Sequence, residues 1–363
     1  ESFMTKQKPF RILVYLILTF TLVYLVHLTN FIFVPIGLLL ASIAVPIVGA
    51  GLFFYITNPL VDLLERYKVK RVFGTLIIFV LIGLIVYLIS LFLIPPLQDQ
   101  TARLVDNVPA IAKWLEELWE LWQNRQEYLP AAFEDSIQNV IDNLDTYAEQ
   151  VVTNLFSMIS SVFSFLFSFI MIPFFLFFML KDGKKLTPFV TQFFSEKKAK
   201  SIETLLKNIN QTLTSFIQGQ VLVSIFVAVI LLIGYSIVGL NYALVLAIFG
   251  LFMNLIPFIG PWISAIPAVI IGFFQDPMIG VWTAVIMIVA QQIEGNLISP
   301  NIMGKALNLH PLTVITVILA AGAMFGFIGL LFAVPSYAVA KTILTHLYRV
   351  YTNSRPVGQK NIF

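Results

Sequence analysis

Apolar residues in this chain fall mostly in long runs with few charged positions between them. Phe10–Leu28, Phe31–Ile56, Val72–Ile94, Val151–Leu180, Phe216–Leu240 and Met278–Ser299 are runs of this kind. One bilayer crossing takes about 20 apolar residues in unbroken helix, so each run predicts a membrane helix. Two further segments are as apolar but interrupted. Tyr242–Phe274 contains Pro257, Gly260, Pro261 and Pro267, and the stretch from Leu312 to His346 contains Gly322, Gly326, Gly329 and Pro335. Proline removes an amide donor and clashes with the preceding turn, so a break is expected in each. The first segment is 33 residues long, whereas two full crossings and a turn need more than about 40. Its halves are therefore short. A re-entrant hairpin is expected, entering from outside with its tip near Pro257–Pro261. The second is expected to enter from the opposite face, its last part reaching the cytoplasm as a full helix. Broken backbone at membrane depth survives only where it is buried in protein or lines a wet cavity. Paired interrupted segments are the best sequence pointer to a transporter site. The competing reading is a pair of proline-kinked helices that only pack.

Two polar stretches carry helical stripes instead. Between Pro95 and Gln150, apolar residues recur at Trp114, Leu118 and Trp122, then at Phe133, Ile137, Val140, Leu144, Tyr147 and Val151. No breaker separates the last series from the fourth run, so one long helix is expected to leave the membrane there. Phe193, Ile202, Leu205, Ile209 and Leu213 mark a second stripe within Phe189–Phe216. Both stripes must bury against something, either the same chain or another subunit.

Composition raises these readings to a class. The chain of 363 residues is 59% hydrophobic and 11% charged, with mean hydropathy +0.91. A soluble domain is about 45–50% apolar and about 25% charged. An all-α polytopic membrane protein is expected, with about six to eight membrane segments that include the two Gly/Pro-broken hairpins, re-entrant or half-helix. Charge orients it. Arg66, Lys68, Lys70 and Arg71 follow the second run, and Lys181, Lys184, Lys185, Lys197, Lys198, Lys200 and Lys207 follow the fourth. Those loops should be cytoplasmic, like both termini, the tail carrying Arg349, Arg355 and Lys360. Pro95–Gln150 holds eleven acids against three bases in a chain of net charge +3, and belongs outside.

The expected organisation is as follows. Residues 1–9 form an expression remnant (Glu1–Phe3 precede Met4) and a cytoplasmic N-terminus. Residues 10–94 hold three transmembrane helices, 95–150 an extracytoplasmic helical region and 151–180 a fourth transmembrane helix. Residues 181–215 make a cytoplasmic amphipathic helix, 216–348 a transport core with both broken hairpins, and 349–363 a cytoplasmic tail. Lys6, Lys8 and Arg11 precede an apolar run without a small-residue cleavage site, so a retained helix is expected there rather than a signal peptide. Cysteine is absent, and His27, His310 and His346 are far apart, so no metal site and no cofactor is expected.

Candidate chemistry is sparse. After Glu203 the chain has only two acids, Asp276 and Glu294. Asp276 sits in a polar turn, FQDPM, and reads as a solvated loop residue. Met278–Ile293 is too short to span, so its helix should continue through QQIEGNLIS and carry Gln291, Gln292, Glu294 and Asn296 to the membrane. An intramembrane carboxylate is costly and usually marks an ion or substrate path. Gln291 and Glu294 share a helix face. The plainer alternative is an interfacial Glu294 at a helix end, paired with Lys305. Asn254, Gln218 and Gln220 add polar groups that must find partners, interhelical hydrogen bonds being the plain reading. There is no GxxxxGK[ST], GxSxG or HExxH.

NLIPFIGPWISAIP, QQIEGNLISPNIMGKALNLHPLTVI and GAMFGFIGLLFAVP resemble the AI-2E family of bacterial membrane transporters, as do FFMLKDGKKL and the pair Gly219-Gln220. The resemblance covers nearly the whole chain in family order. It implies a bacterial plasma-membrane transporter that exports the quorum-sensing molecule autoinducer-2, while other members look like sodium(lithium)/proton antiporters. It puts Pro257, Gly260, Pro267, Glu294, Asn296, Pro300, Gly304, His310, Pro311, Gly326, Gly329 and Pro335 on the family's motif positions. It also implies a homo-oligomer, for which a pentameric ring is one form.

The leading expectation is a secondary transporter or exporter of a small polar molecule, not an enzyme. Its cargo or a monovalent cation would pass between the broken segments along Glu294, Gln291, Asn296, Asn254, Pro257, Gly260, Pro261, Gly326 and Gly329. Gln220, Pro267, Pro300, Gly304, His310, Pro311 and Pro335 would support that path. Cation/proton antiport is the alternative within transport. From another class comes a membrane scaffold that binds a partner through its acidic outer region. The implied surroundings are a lipid bilayer, with no nucleic acid.

Overall fold

The computed structural model describes residues 8–123, 166–303 and 310–353, and every regular element among them is helical. In chain order these are α1 (Lys8–Leu28), α2 (Asn30–Arg66), α3 (Arg71–Phe92) and α4 (Ile94–Gln123). Then come α5 (Leu166–Asp182), α6 (Leu186–Thr191) and α7 (Glu196–Ile237). The last group is α8 (Ala243–Asn254), α9 (Ile259–Gln275), α10 (Pro277–Ile293), a π-helical turn (Glu294–Ile298), α11 (Ser299–Met303) and α12 (Pro311–Asn353). Among these, five helical stretches are long and apolar enough to cross a membrane. The molecule is an all-α polytopic membrane protein. The outer stripe from Phe133 to Val151 and the start of the fourth run lie outside the described residues.

Several helices run through interior prolines. α2 runs to Arg66 through Pro35, Pro46 and Pro59. α9 holds Pro261 in its first turn and Pro267 in its interior without stopping. A proline in a first turn lacks only an amide that would have no partner anyway. In the interior it frees one carbonyl, which neighbouring helices and side chains can tolerate at membrane depth. α7 runs unbroken past Phe216, so the amphipathic stripe and the fifth apolar run form one helix of 42 residues. Its stripe residues Ile202, Leu205, Ile209 and Leu213 are half-buried within the chain. Ser201 Oγ lies 2.9 Å from His346 Nε2, and Thr212 Oγ1 lies 3.4 Å from Thr342 Oγ1, which pairs this end of α7 with the end of α12.

Burial divides the bundle. α1 exposes nearly every large side chain it shows, from Ile12 to Leu28. In lipid this costs nothing, because acyl chains are as apolar as leucine. Association must instead come from close packing, and α7 is its centre. Val223, Val227, Leu231 and Tyr235 are buried there against Leu246, Ala268, Ile271 and Met287. Small residues bring the backbones together. Gly234 faces Ile286, Gly250 faces Leu231, and a β-carbon on Gly272 would come within 2.9 Å of the Gly280 Cα.

Polar clamps close both ends. At one, Arg71 donates to Asp62 Oδ1 (2.7 Å), Glu65 Oε2 (3.0 Å), Asn58 Oδ1 (2.7 Å) and the Leu180 carbonyl (2.6 Å). Those bonds tie α2, α3 and α5 together. At the other, α4 lies across the start of α8 and the end of α9. Leu244 and Val245 amides donate to Gln100 Oε1 at 3.1 and 3.3 Å. Trp114 meets Phe274 edge to face, ring centroids 5.9 Å apart.

Candidate functional site

α8 and α9 are 12 and 17 residues long, or about 18 and 26 Å at 1.5 Å per residue. They pack side by side through a four-residue turn. The turn puts Phe258 at φ 65°, an uncommon conformation for a residue with a side chain. Gly260 follows with its Cα against the Met253 carbonyl, where a β-carbon would collide. Gly260 thus serves close approach, and the positive φ falls on Phe258 instead.

α12 is the second interrupted segment, and it breaks at Gly326 (φ 61°, ψ −143°). A straight helix would set residues eight apart about 12 Å from one another. Here a β-carbon on Gly329 would run into the Ala321 carbonyl, and Gly322 faces the Leu330 side chain. The chain therefore folds back on itself, and residues 311–325 and 327–353 form two limbs. Val314 and Ile318 from one limb are buried with Ala333 and Val334 from the other. Ile256 of the first turn and Ile259 at the start of α9 join the same cluster, so the two hairpins meet there.

Beside that junction lies a polar cluster. Asn254 is 2% exposed at the end of α8, and its carbonyl accepts from Gln220 Nε2 at 2.6 Å. Ser224 is buried on α7, one turn beyond Gln220. The Glu294 carboxyl lies beside the Gln291 and Asn254 amides. Yet Ser224 Oγ, Asn254 Nδ2, Gln291 Nε2 and Glu294 Oε2 are all buried without a hydrogen-bond partner. An unpaired buried polar group costs about 1–3 kcal/mol, so four together are a departure that asks for a purpose. Among the described residues no cation stands within ion-pair distance of Glu294. Lys305 lies outside them.

The backbone changes form at the same place. The Ser299 amide bonds to the Glu294 carbonyl five residues back, closing a π turn. Pro300 lacks the amide that would close an α turn onto Asn296. π turns inside helices occur often at functional sites. This one reorients the chain directly after Gln291 and Glu294.

Not every candidate residue joins the cluster. Asn296 is exposed and donates to Gln292 Oε1 at 2.9 Å. His310 is exposed and accepts from the Leu312 amide at 3.3 Å, at the start of α12, whose first residue is Pro311. Pro300 is exposed, Pro335 is buried in the second limb, and Pro257 sits in the first turn. The Pro261 carbonyl accepts from Ser264 Oγ at 2.9 Å. Gly304 lies outside the described residues. Ser224 is the member that sequence reasoning missed. Its signal was present, since it follows Gln220 by four residues in an otherwise apolar run.

A family model described as "AI-2E family transporter" matches residues 12–349. A protein of Bacillus subtilis (strain 168), "Putative transport protein YueF", is 32% identical over 339 residues, spanning 91% of this chain and 90% of its own. A second from that organism, "Putative transport protein YrrI", is 28% identical over 353 residues, spanning 95% and 99%. A "Sodium-lithium/proton antiporter" of Halobacillus andaensis is 23% identical over 323 residues, spanning 84% and 90%.

Proposed function

This chain belongs to the AI-2E family of transporters, and we propose that it is a secondary transporter exporting a small polar molecule, with autoinducer-2 as the cargo. The observation that carries this reading is the set of four unpaired buried polar atoms where both hairpins, α7 and the π turn converge. A scaffold has no use for such groups. A transporter has, because cargo or a cation can satisfy them in turn. In this mechanism Gln220 fixes the Asn254 carbonyl, and that leaves the Asn254 amide to face Glu294. Glu294 takes up a proton or a monovalent cation without a fixed counter-charge to compete. The turns of both hairpins leave helix ends among buried residues, where backbone groups can hold a polar solute. Movement of the Pro257–Gly260 turn against Val314 and Ile318 would open the cluster to one face or the other.

A second reading, Na⁺(Li⁺)/H⁺ antiport, is favoured by the antiporter relative and by the buried Glu294 Oε2, which has no hydrogen-bond partner. Flux into proteoliposomes separates the two, using autoinducer-2 in one arm and Na⁺ or Li⁺ under a pH gradient in the other. Glu294→Gln keeps the shape and removes the charge. It should abolish flux in whichever arm the wild type shows, with thermal unfolding unchanged. Wild-type flux in that variant would return Glu294 to a packing role. No flux in either arm for the wild type would favour the scaffold.

A further inference from the structure

A cavity of 1110 Å³ opens at the lysine-rich end of the bundle, between α2, α5, α6 and α7. Pockets for small molecules run about 300–1,000 Å³, so this one is generous for a small polar cargo. Its lining is amphipathic. Phe54, Phe178 and Met179 supply apolar surface, and Lys184, Lys185 and Lys207 supply charge. Asp62, Asp182 and Glu203 also line it, Asp62 being held by Arg71. Lys184 pairs with Glu65 and Lys185 with Asp182, but the lysine side chains are 59% and 79% exposed. Such solvated pairs are weak and yield readily to a phosphate. Among the described residues Lys207 has no ion pair at all.

The neighbouring surface fits the same ligand. Leu186, Phe189, Phe193 and Phe194 are exposed together, with the Phe189 and Phe193 rings edge to face at 5.6 Å. Aromatic side chains at the end of a membrane helix are at home in the headgroup layer. The segment from Lys181 to Lys207 carries seven lysines against three acids. Juxtamembrane lysines of this density attract anionic headgroups.

We propose that this cavity binds an anionic phospholipid of the leaflet it faces, the cytoplasmic one by the positive-inside rule. Lys184, Lys185 and Lys207 hold the phosphate, an acyl chain runs over Phe54, Phe178 and Met179, and Leu186–Phe194 lies in the headgroup layer beside it.

Native mass spectrometry of the full chain tests this, with phosphatidylglycerol and phosphatidylcholine added in competition. The wild type should retain phosphatidylglycerol preferentially. Lys185→Gln/Lys207→Gln should weaken that preference about 25-fold, at about fivefold per lysine, with no change in melting temperature in phosphatidylcholine. If the double variant does not fold, Lys207→Gln alone removes no ion pair or hydrogen bond among the described residues and should cost about fivefold. Equal retention of the two lipids by the wild type would overturn the proposal, as would undiminished phosphatidylglycerol in the variants. Displacement of the lipid by inorganic phosphate alone would overturn it too, because the site would then be a free-anion pocket.

Discussion

The two hairpins are built by one device and furnished differently. In each, a glycine of the outgoing limb lies against a carbonyl of the incoming one, Gly260 on Met253 and Gly329 on Ala321. That contact lets two helical limbs run side by side with no room for a side chain between them. The turns differ. The first is a four-residue turn with Phe258 at positive φ, and the second is a single reversal at Gly326, around which the space is open. The contents differ more. The first hairpin buries Asn254 and Ser264, whereas the apolar cluster of the second is formed by Val314, Ile318, Ala333 and Val334. One hairpin therefore offers a buried amide with no partner, Asn254 Nδ2, and the other offers a dry wall for it to lean on. Two hairpins can look like a repeat in architecture without repeating any chemistry.

The strongest way to break this comparison is to fill the glycine contacts. Gly260→Val and Gly329→Val should each destabilise the fold by more than about 3 kcal/mol, since backbone cannot yield as a side chain can. Thermal unfolding in detergent and reconstituted flux would both register it. Gly83→Val, with open space around its Cα, should behave as wild type. Normal flux in Gly260→Val would mean that the first hairpin is not pinned where the structure puts it.

The next test separates polar content from packing. Asn254→Leu removes an unpaired buried amide and leaves the backbone carbonyl for Gln220. Flux should fall sharply while stability changes by no more than about 1 kcal/mol, because the amide that faces Glu294 is used in transport more than in holding the fold. A variant that loses stability and keeps flux would reverse that assignment. A purely conformational effect is expected at the second turn. Gly326→Ala meets no steric obstacle, but alanine resists φ 61°, so a loss of about 1–3 kcal/mol follows from strain alone.

The mildest probes leave the fold untouched and decide which face each hairpin enters from. A cysteine introduced at Asn124 should label from outside intact cells, and one at Lys198 should not. The opposite pattern would invert the membrane orientation and exchange the entrances of both hairpins.

Much of the polar cluster was readable in advance, since Asn254, Gln220, Gln291 and Glu294 are conspicuous in apolar surroundings. Their convergence was not. They come from α7, α8, α10 and the π turn, separated by up to 74 positions between Gln220 and Glu294, and no periodicity reports contacts across such distances. Ser224 went unnoticed because a serine in a membrane helix ordinarily bonds its own backbone. Arg71 was read only as a topology signal, yet its four bonds hold three helices together.

Composition and run length by themselves determined that this chain lives in a membrane, that it is helical, and that two segments break. Those properties follow from backbone satisfaction in lipid and need no partner to be known. Only the tertiary structure decided where the breaks fall. Proline weakens a helix by a few kcal/mol at most positions, and neighbouring helices can absorb that, as they do at Pro59 and Pro267. The reversals fall instead beside a glycine that permits backbone to meet backbone, the first next to Gly260 and the second, at Gly326, next to Gly329. Whether a glycine has a carbonyl opposite it is a fact of packing, not of sequence.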